Sequence, residues 1–241
     1  MIARNEEKNI ARAINSVRQI ADEIIVIDTG STDSTKEIAA ELGANVYDFK
    51  WRHDFSAARN YSISKAKGDW ILVLDADEAI SSEDLDKFKG LMEKKDVAYR
   101  FIQRTYSNEP AGMKWNQNDH SYRESRDFLG WRYRGIIRLF RKGPKFVYPV
   151  HETVKHDVHG RGWKIVNSEI PIHHFPADLK KKNEYYYELL KNKIQLFPNA
   201  NSFAEIAILC YELGMVHEAL FYKQKALKLN ENISSLQIIK Q

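Results

Sequence analysis

Cysteine is nearly absent. Cys210 is the one thiol in 241 residues, so no disulfide can form within the chain. That usage suits a reducing compartment, and a cytoplasmic protein is expected. Long hydrophobic runs are missing too. None approaches the roughly 18 apolar residues that a membrane helix needs, and residues 1–10 are too polar for a signal peptide. Excess charge is small. A formal net charge of +4 favours anionic ligands such as phosphates but is too weak to argue for nucleic acid. Glycine is lacking where a dinucleotide would need it, because no Gly-x-Gly-x-x-Gly follows any strand-like run.

What is present is an ordinary core-forming composition, 43% hydrophobic and 29% charged, enough for one larger domain or a domain with an appendage. Its centre is Gly68-Asp69-Trp70-Ile71-Leu72-Val73-Leu74-Asp75-Ala76-Asp77-Glu78. The apolar run 70–74 suits a strand buried on both faces of an α/β sheet, although periodicity alone also allows a buried helix segment. Ligands of open α/β sheets bind at the carboxyl ends of such strands. If the chain stays extended there, Asp75 and Asp77 lie on one side, and a divalent cation would relieve their repulsion. The plainer reading of a bare Asp-x-Asp is a solvated turn before a helix capped by Ser81.

Upstream, Asn5 is expected to cap a helix with Glu6 and Glu7 in its first turn and Ile10, Ile14 and Val17 on its apolar face. Residues 23–28 read as a buried strand, 29–33 as a tight polar loop, and Ser34 with Glu37 as a capping box. Gly43 should close that helix. Residues 44–49 make a third strand, and Asp54 caps a helix running from Phe55 to about Lys67. Strands alternating with helices predict parallel strands and a doubly wound sheet over the first ~90 residues. Beyond, 97–106, 136–141, 146–150 and 163–174 are strand-like, and the long polar stretch 107–130 reads as a functional loop or lid. From Lys180 the pattern is helical to the end. Ala207, Tyr211, Leu213, Gly214, Ala219 and Ala226 fit a degenerate tetratricopeptide-like pair. A lone pair of this kind must pack on its own domain, on the preceding helix or on another chain, so a homo-oligomer through the tail is one expectation.

Four segments in this order carry a resemblance: Ile2-Ala3-Arg4-Asn5-Glu6-Glu7, Ile25-Val26-Ile27-Asp28-Thr29-Gly30-Ser31-Thr32-Asp33-Ser34-Thr35, Asp54-Phe55-Ser56-Ala57-Ala58-Arg59-Asn60, and Trp70 to Asp77. Together they resemble a family 2 glycosyltransferase of the bacterial type with C-terminal helical repeats. The resemblance implies a GT-A fold over 1–176, with a first strand shorter than usual in the family, and a helical tail over 177–241. It also implies a nucleotide-sugar donor, usually linked to uridine diphosphate, and Mn²⁺ or Mg²⁺. By that resemblance Ala3, Asn5 and Glu6 meet the base and ribose, and Asp28 accepts from the uracil N–H, its plainer role being a loop-stabilising turn with Ser31. Arg59 sits near the base or diphosphate. Asp75 holds ribose or a metal water, and Asp77 ligates the metal. Val150-His151-Glu152 occupies the position of the acidic catalytic residue, with Glu152 as general base and His151 against the substrate. Of His173 and His174 only one can face the site, and His174 is favoured as a metal ligand.

The implied activity is an inverting sugar transfer to a peptide, protein or saccharide acceptor. A nucleotidyltransferase would share the sheet but needs a glycine-rich first loop, which Ala3-Arg4-Asn5-Glu6 does not offer. A glycoside hydrolase could use paired carboxylates, but Asp75 and Asp77 are too close in the chain to flank a sugar. A catalytically silent module that binds a protein partner through its helical tail and Tyr185, Tyr186 and Tyr187 is the reading from another class.

Overall fold

The computed structural model describes residues 1–110, 115–176, 183–230 and 232–239. The chain divides into two compact units. The first comprises Met1–Arg52, Ala57–Val147 and Thr153–Ala177; the second comprises His53–Ser56, Tyr148–Glu152 and Asp178–Gln241. Two short internal segments therefore fold with the tail.

In the first unit, β1 (Ile2–Ala3), β2 (Ile25–Asp28) and β3 (Asn45–Asp48) form a parallel sheet in that order. Ala3 and Asp48 both pair with Asp28, which ends the middle strand. All four β2 residues are buried. Helix α1 (Ile10–Val17) buries Ile10, Ala13, Ile14 and Val17, an i, i+3, i+4, i+7 stripe. Ile10 and Ile14 share a cluster with Ala3, Val26, Ala76 and Ala39 of α2 (Thr35–Glu41). Gly43, at φ 84°, closes α2: its N–H reaches Ala40 O and that of Ala44 reaches Ala39 O, the paired bonds of a left-handed cap.

Five further strands follow: β4 (Trp70–Leu72), β5 (Glu78–Ala79), β6 (Val97–Ser107), β8 (Gly130–Arg141) and β9 (Lys164–His174). They form a second sheet ordered β4-β8-β6-β9-β5, with β7 (Trp115–Gln117) on β8. The β6–β9 pair is parallel and the others are antiparallel. Adjacent residues of β8 feed opposite faces: Leu139 packs with Phe88, Phe101 and Ile172, and Phe140 with Phe146, Val154 and Val158. Helix α3 (Phe55–Lys65) follows β3, and α4 (Leu85–Gly90) and α5 (Lys155–Gly160) are short.

In the second unit, α6 (Asn183–Leu196), α7 (Ala200–Glu212) and α8 (Val216–Leu229) enclose Leu189, Leu190, Ile206, Ala207, Cys210, Ala219 and Ala226. Small residues at 207, 219 and 226 let α7 and α8 approach closely. Gly214, at φ 77°, makes the turn between them. Among the described residues no helix is long and apolar enough to cross a membrane.

The fold class anticipated from sequence, α/β with a mixed sheet and C-terminal helices, is the one observed. Several local expectations change. The fourth strand leaves the parallel set and pairs antiparallel with β8 along Trp70–Leu72. Helix α1 starts at Ile10, not after Asn5, because residues 5–7 give their N–H groups to the 31–35 loop. The Ser34–Glu37 capping box does not form; Asp33 accepts the Thr35 N–H and hydroxyl instead. Residues 146–150 make one bridge, Val147 to Thr153, since Tyr148 at φ 78° and His151 at φ 50° cannot continue a strand. Of the 107–130 stretch, residues 111–114 lie outside the described ones, as do 177–182 of the tail. The rest holds β7 and a turn at Arg123–Ser125, laid beside β8.

Gly130 begins β8 against Trp115 and Asn116, where a Cβ would come within 2.3 Å of the Asn116 carbonyl. Gly130→Ala is therefore expected to unpair β7 and to cost about 1–3 kcal/mol. Near-UV circular dichroism and urea denaturation check this.

Candidate active site

The carboxyl ends of β1 and β2 carry two loops that are stitched together. Asn5, at φ 55°, donates its N–H to Ser31 Oγ and accepts the Thr32 N–H on its side-chain oxygen. Asn is among the few residues that hold this left-handed conformation at low cost. Glu6 N–H donates to Thr35 Oγ1, and the Glu6 carboxylate accepts from Asn9. Ala3 O accepts both the N–H and the hydroxyl of Thr29. Asp28, 2% exposed, turns Oδ2 to the N–H groups of Gly30 and Ser31 at 2.9 and 3.0 Å. Its Oδ1 is buried with no partner. Of the roles anticipated for Asp28, the loop-stabilising turn is the one observed, and Oδ1 is left as an unsatisfied buried acceptor.

After β4 the chain does not stay extended. Val73 N–H still bonds Arg138 O, but Glu78 N–H returns to Asp75 O, closing Asp75-Ala76-Asp77-Glu78 into a tight turn. The Asp75 N–H donates to Glu78 Oε2 at 2.8 Å, and Ala76 is buried beneath α1. The expectation that Asp75 and Asp77 share one side of an extended chain is corrected, because the turn sends them apart.

Asp75 faces two arginines. Arg59 Nη2, on α3, is 2.8 Å from Oδ1, and Arg138 Nη2, on β8, is 2.6 Å from Oδ2. The same Arg138 nitrogen donates at 2.8 Å to Glu78 Oε1, which Gln103 also contacts. Arg138 and Glu78 are 6% and 0% exposed. Burial opposes ionisation of Asp75, but Arg138 and then Arg59 outweigh it and hold its carboxyl well below the usual range. Burial instead dominates at Glu78, whose pKa is raised despite Arg138. Arg59, expected beside base or diphosphate, is committed to Asp75 here, and its guanidinium lies over the Phe146 ring. Its neighbour Asn60 exchanges two hydrogen bonds with the Phe146 backbone, which fixes the helix that carries the arginine.

Asp77 meets His174. The Asp77 Oδ2 to His174 Nε2 distance is 3.2 Å, and Thr105 Oγ1 lies 3.0 Å from Nδ1. Burial would lower the imidazole pKa, but Asp77, followed by Glu78 and Asp75, raises it. Strand alternation turns His173 to the other side, against the Tyr106 hydroxyl at 2.6 Å, and burial lowers its pKa to about 4. Beside Asp77, Arg12 stacks 3.8 Å over the Phe175 ring and donates to Asn9. Among the described residues no three His, Cys, Asp or Glu side chains converge on a single point. Asp77 and His174 set a carboxylate oxygen beside an imidazole nitrogen, whereas both oxygens of Asp75 are engaged by its arginines.

His151 and Glu152 belong to the second unit. His151 Nδ1 lies 3.1 Å from Glu205 Oε2 on α7, and Glu152 is half-buried.

A family model, Glycosyl transferase family 2, matches residues 1–152. The chain belongs to glycosyltransferase family 2. Its α/β class with mixed sheet and C-terminal helices is that expected of a GT-A protein. Similar proteins include a TPR repeat-containing protein of Synechococcus elongatus, 37% identical over 156 residues, covering 64% of this chain and 34% of the relative. An uncharacterized glycosyltransferase of Rickettsia typhi is 45% identical over 89 residues, covering 37% and 30%. The SPbeta prophage-derived glycosyltransferase SunS of Bacillus subtilis is 42% identical over 90 residues, covering 36% and 21%. This family 2 chain therefore spans about a third or less of the curated relatives it matches. Among solved structures, glucosyl-3-phosphoglycerate synthase from Mycobacterium tuberculosis, in complex with Mn²⁺ and UDP-glucose, aligns at 24% identity and a TM-score of 0.35, over 44% of this chain and 41% of that one.

Sequence reasoning missed Arg138, Glu78 and Arg12. A signal for the first existed: Ile136-Ile137-Arg138-Leu139-Phe140 sets one arginine inside an apolar strand, where a charge requires a partner. Removing that charge leaves Glu78 buried and unpaired, so Arg138→Met should cost about 3–5 kcal/mol. Urea denaturation measures the loss, and adding Glu78→Gln should restore part of it. His174 supplies a pH test in the metal-free protein. Because its folded pKa is raised above 6.5, its stabilisation is full below pH 6.5 and fades as pH climbs through the folded value. The melting-temperature gap between wild type and His174→Gln should narrow in that direction.

Proposed function

We propose that this chain transfers a glycosyl group, with inversion, from a UDP-linked sugar to a peptide, protein or saccharide acceptor. The observation that carries the proposal is the orphaned Asp28 Oδ1, a buried acceptor at the end of the middle parallel strand. The ring N–H of uracil would satisfy it, ending the cost of an unpaired buried oxygen, about 1–3 kcal/mol. The stitched loops bearing Ala3, Asn5 and Glu6 frame the same end of the sheet and would hold base and ribose.

Asp77 and His174 would hold Mn²⁺ or Mg²⁺. A bound cation of this kind stabilises the charge that develops on the departing diphosphate. Arg59 and Arg138 fix Asp75, so the turn presents Asp77 without having to order it during binding. Arg12 adds a cation near Asp77. Following the family resemblance, Glu152 takes the acceptor proton while the acceptor atom bonds the anomeric carbon. The bond from that carbon to the diphosphate oxygen breaks and its electron pair leaves with the diphosphate.

Calorimetric titration of UDP with and without Mn²⁺ tests the donor site. Binding is expected to need the metal and to be lost in Asp77→Ala, whose circular dichroism should match that of wild type even though losing the His174 contact lowers its melting temperature. Asp28→Asn turns an acceptor into an amide and should weaken UDP binding by roughly 10-fold or more. Unchanged affinity in both variants would sink the reading.

A further inference from the structure

The segment Tyr148–Glu152 is built into the helical unit. Val150 is fully buried among Leu189, Leu190, Ile206 and Ala207. Pro149 O accepts the Phe55 N–H at 2.9 Å, and the Tyr148 ring meets Phe197 edge-on at 4.8 Å. Two of its five residues, Tyr148 and His151, hold left-handed backbone conformations that a side chain rarely adopts unless its surroundings impose them. Something must impose the second.

A cluster of charged side chains meets it there. Glu205 Oε2 lies 2.6 Å from Lys193 Nζ and 3.1 Å from His151 Nδ1, so one oxygen joins α6, α7 and the turn. Lys193 is 2% exposed, and its ammonium also sits 4.6 Å from the centre of the Tyr148 ring. The His151 ring stacks on Tyr186 at 6.2 Å. A carboxylate only accepts, so the His151 nitrogen facing it carries the proton, which fixes both the tautomer and the ring plane. Burial would raise the Glu205 carboxyl pKa, but His151 and Lys193 together lower it, so the acceptor stays ionised.

We propose that Glu205 is a positioning residue: through His151 it sets the turn that carries Glu152. The catalytic part of this inference rests on the reading of Glu152 as general base; the structural part does not. The helical tail then serves as the scaffold of a catalytic loop rather than as a separate binding module.

The test uses the full chain with Glu205→Gln, His151→Gln and the double variant. Hydrogen exchange by mass spectrometry across 148–152 is expected to rise in each, while α7 and α8 in His151→Gln keep wild-type protection. Turnover should fall roughly 10- to 100-fold in each single variant, the scale of a small misplacement of a catalytic group. UDP affinity should change less than about twofold, and the double variant should lose no more than the worse single one. His151→Gln leaves the Glu205–Lys193 pair intact, so it folds even if Glu205→Gln does not. Unchanged exchange at 148–152 in His151→Gln overturns the inference, as do losses that multiply in the double variant. If exchange rises as expected but Glu152→Gln keeps full turnover, the positioning stands and the general-base reading falls.

Discussion

Two buried arginines, with Glu78 buried and Asp75 half-buried at the end of β4, are the constraint on which the rest of the candidate site depends. Asp75 and Glu78 lie three residues apart in one turn, and without Arg138 their charges would repel in a poorly solvated space. Arg138 reaches both from a neighbouring strand, and Arg59 reaches Asp75 from a helix. The network joins β4, β8, α3 and the turn in a single electrostatic unit. Pairs of this kind add little net stability compared with apolar packing, but they penalise any other arrangement. Here the geometry they fix is that of Asp77.

Around this unit, the parallel sheet and the mixed sheet make different contributions. The first ends in loops whose polar groups are mostly satisfied by each other, leaving the buried Asp28 oxygen as an exception. The second brings His174 to Asp77 through the β5–β9 pairing, in which Glu78 faces His174 across the ladder. Neither sheet alone supplies both groups.

Much of this was legible in the chain. The buried strand ending at Asp28, the stripe Ile10–Ile14–Val17 and the helical tail follow from hydrophobic spacing, which reports burial directly. The alternation of His173 and His174 followed from strand geometry. What spacing cannot report is which distant strand lies alongside, and so the Arg138 partnership went unread. Strand β5 is 2 residues long, too short for any period. The helix expected at Asn5 failed for a related reason: its capping groups were spent on the 31–35 loop, a contact 26 residues away in sequence. Likewise 146–150 reads as a strand, yet Tyr148 at φ 78° leaves it a single bridge from Val147 to Thr153.

The Asp75–Glu78 turn assigns each residue a separate duty: Asp75 to two arginines, Ala76 to the cluster beneath α1, Asp77 to His174, and Glu78 to Arg138 and the turn itself. Such a tetrapeptide has little room to drift. A change at either end is tolerable only alongside a compensating change on β8 or α3, so the routes by which this site can evolve pass through coordinated pairs rather than single steps.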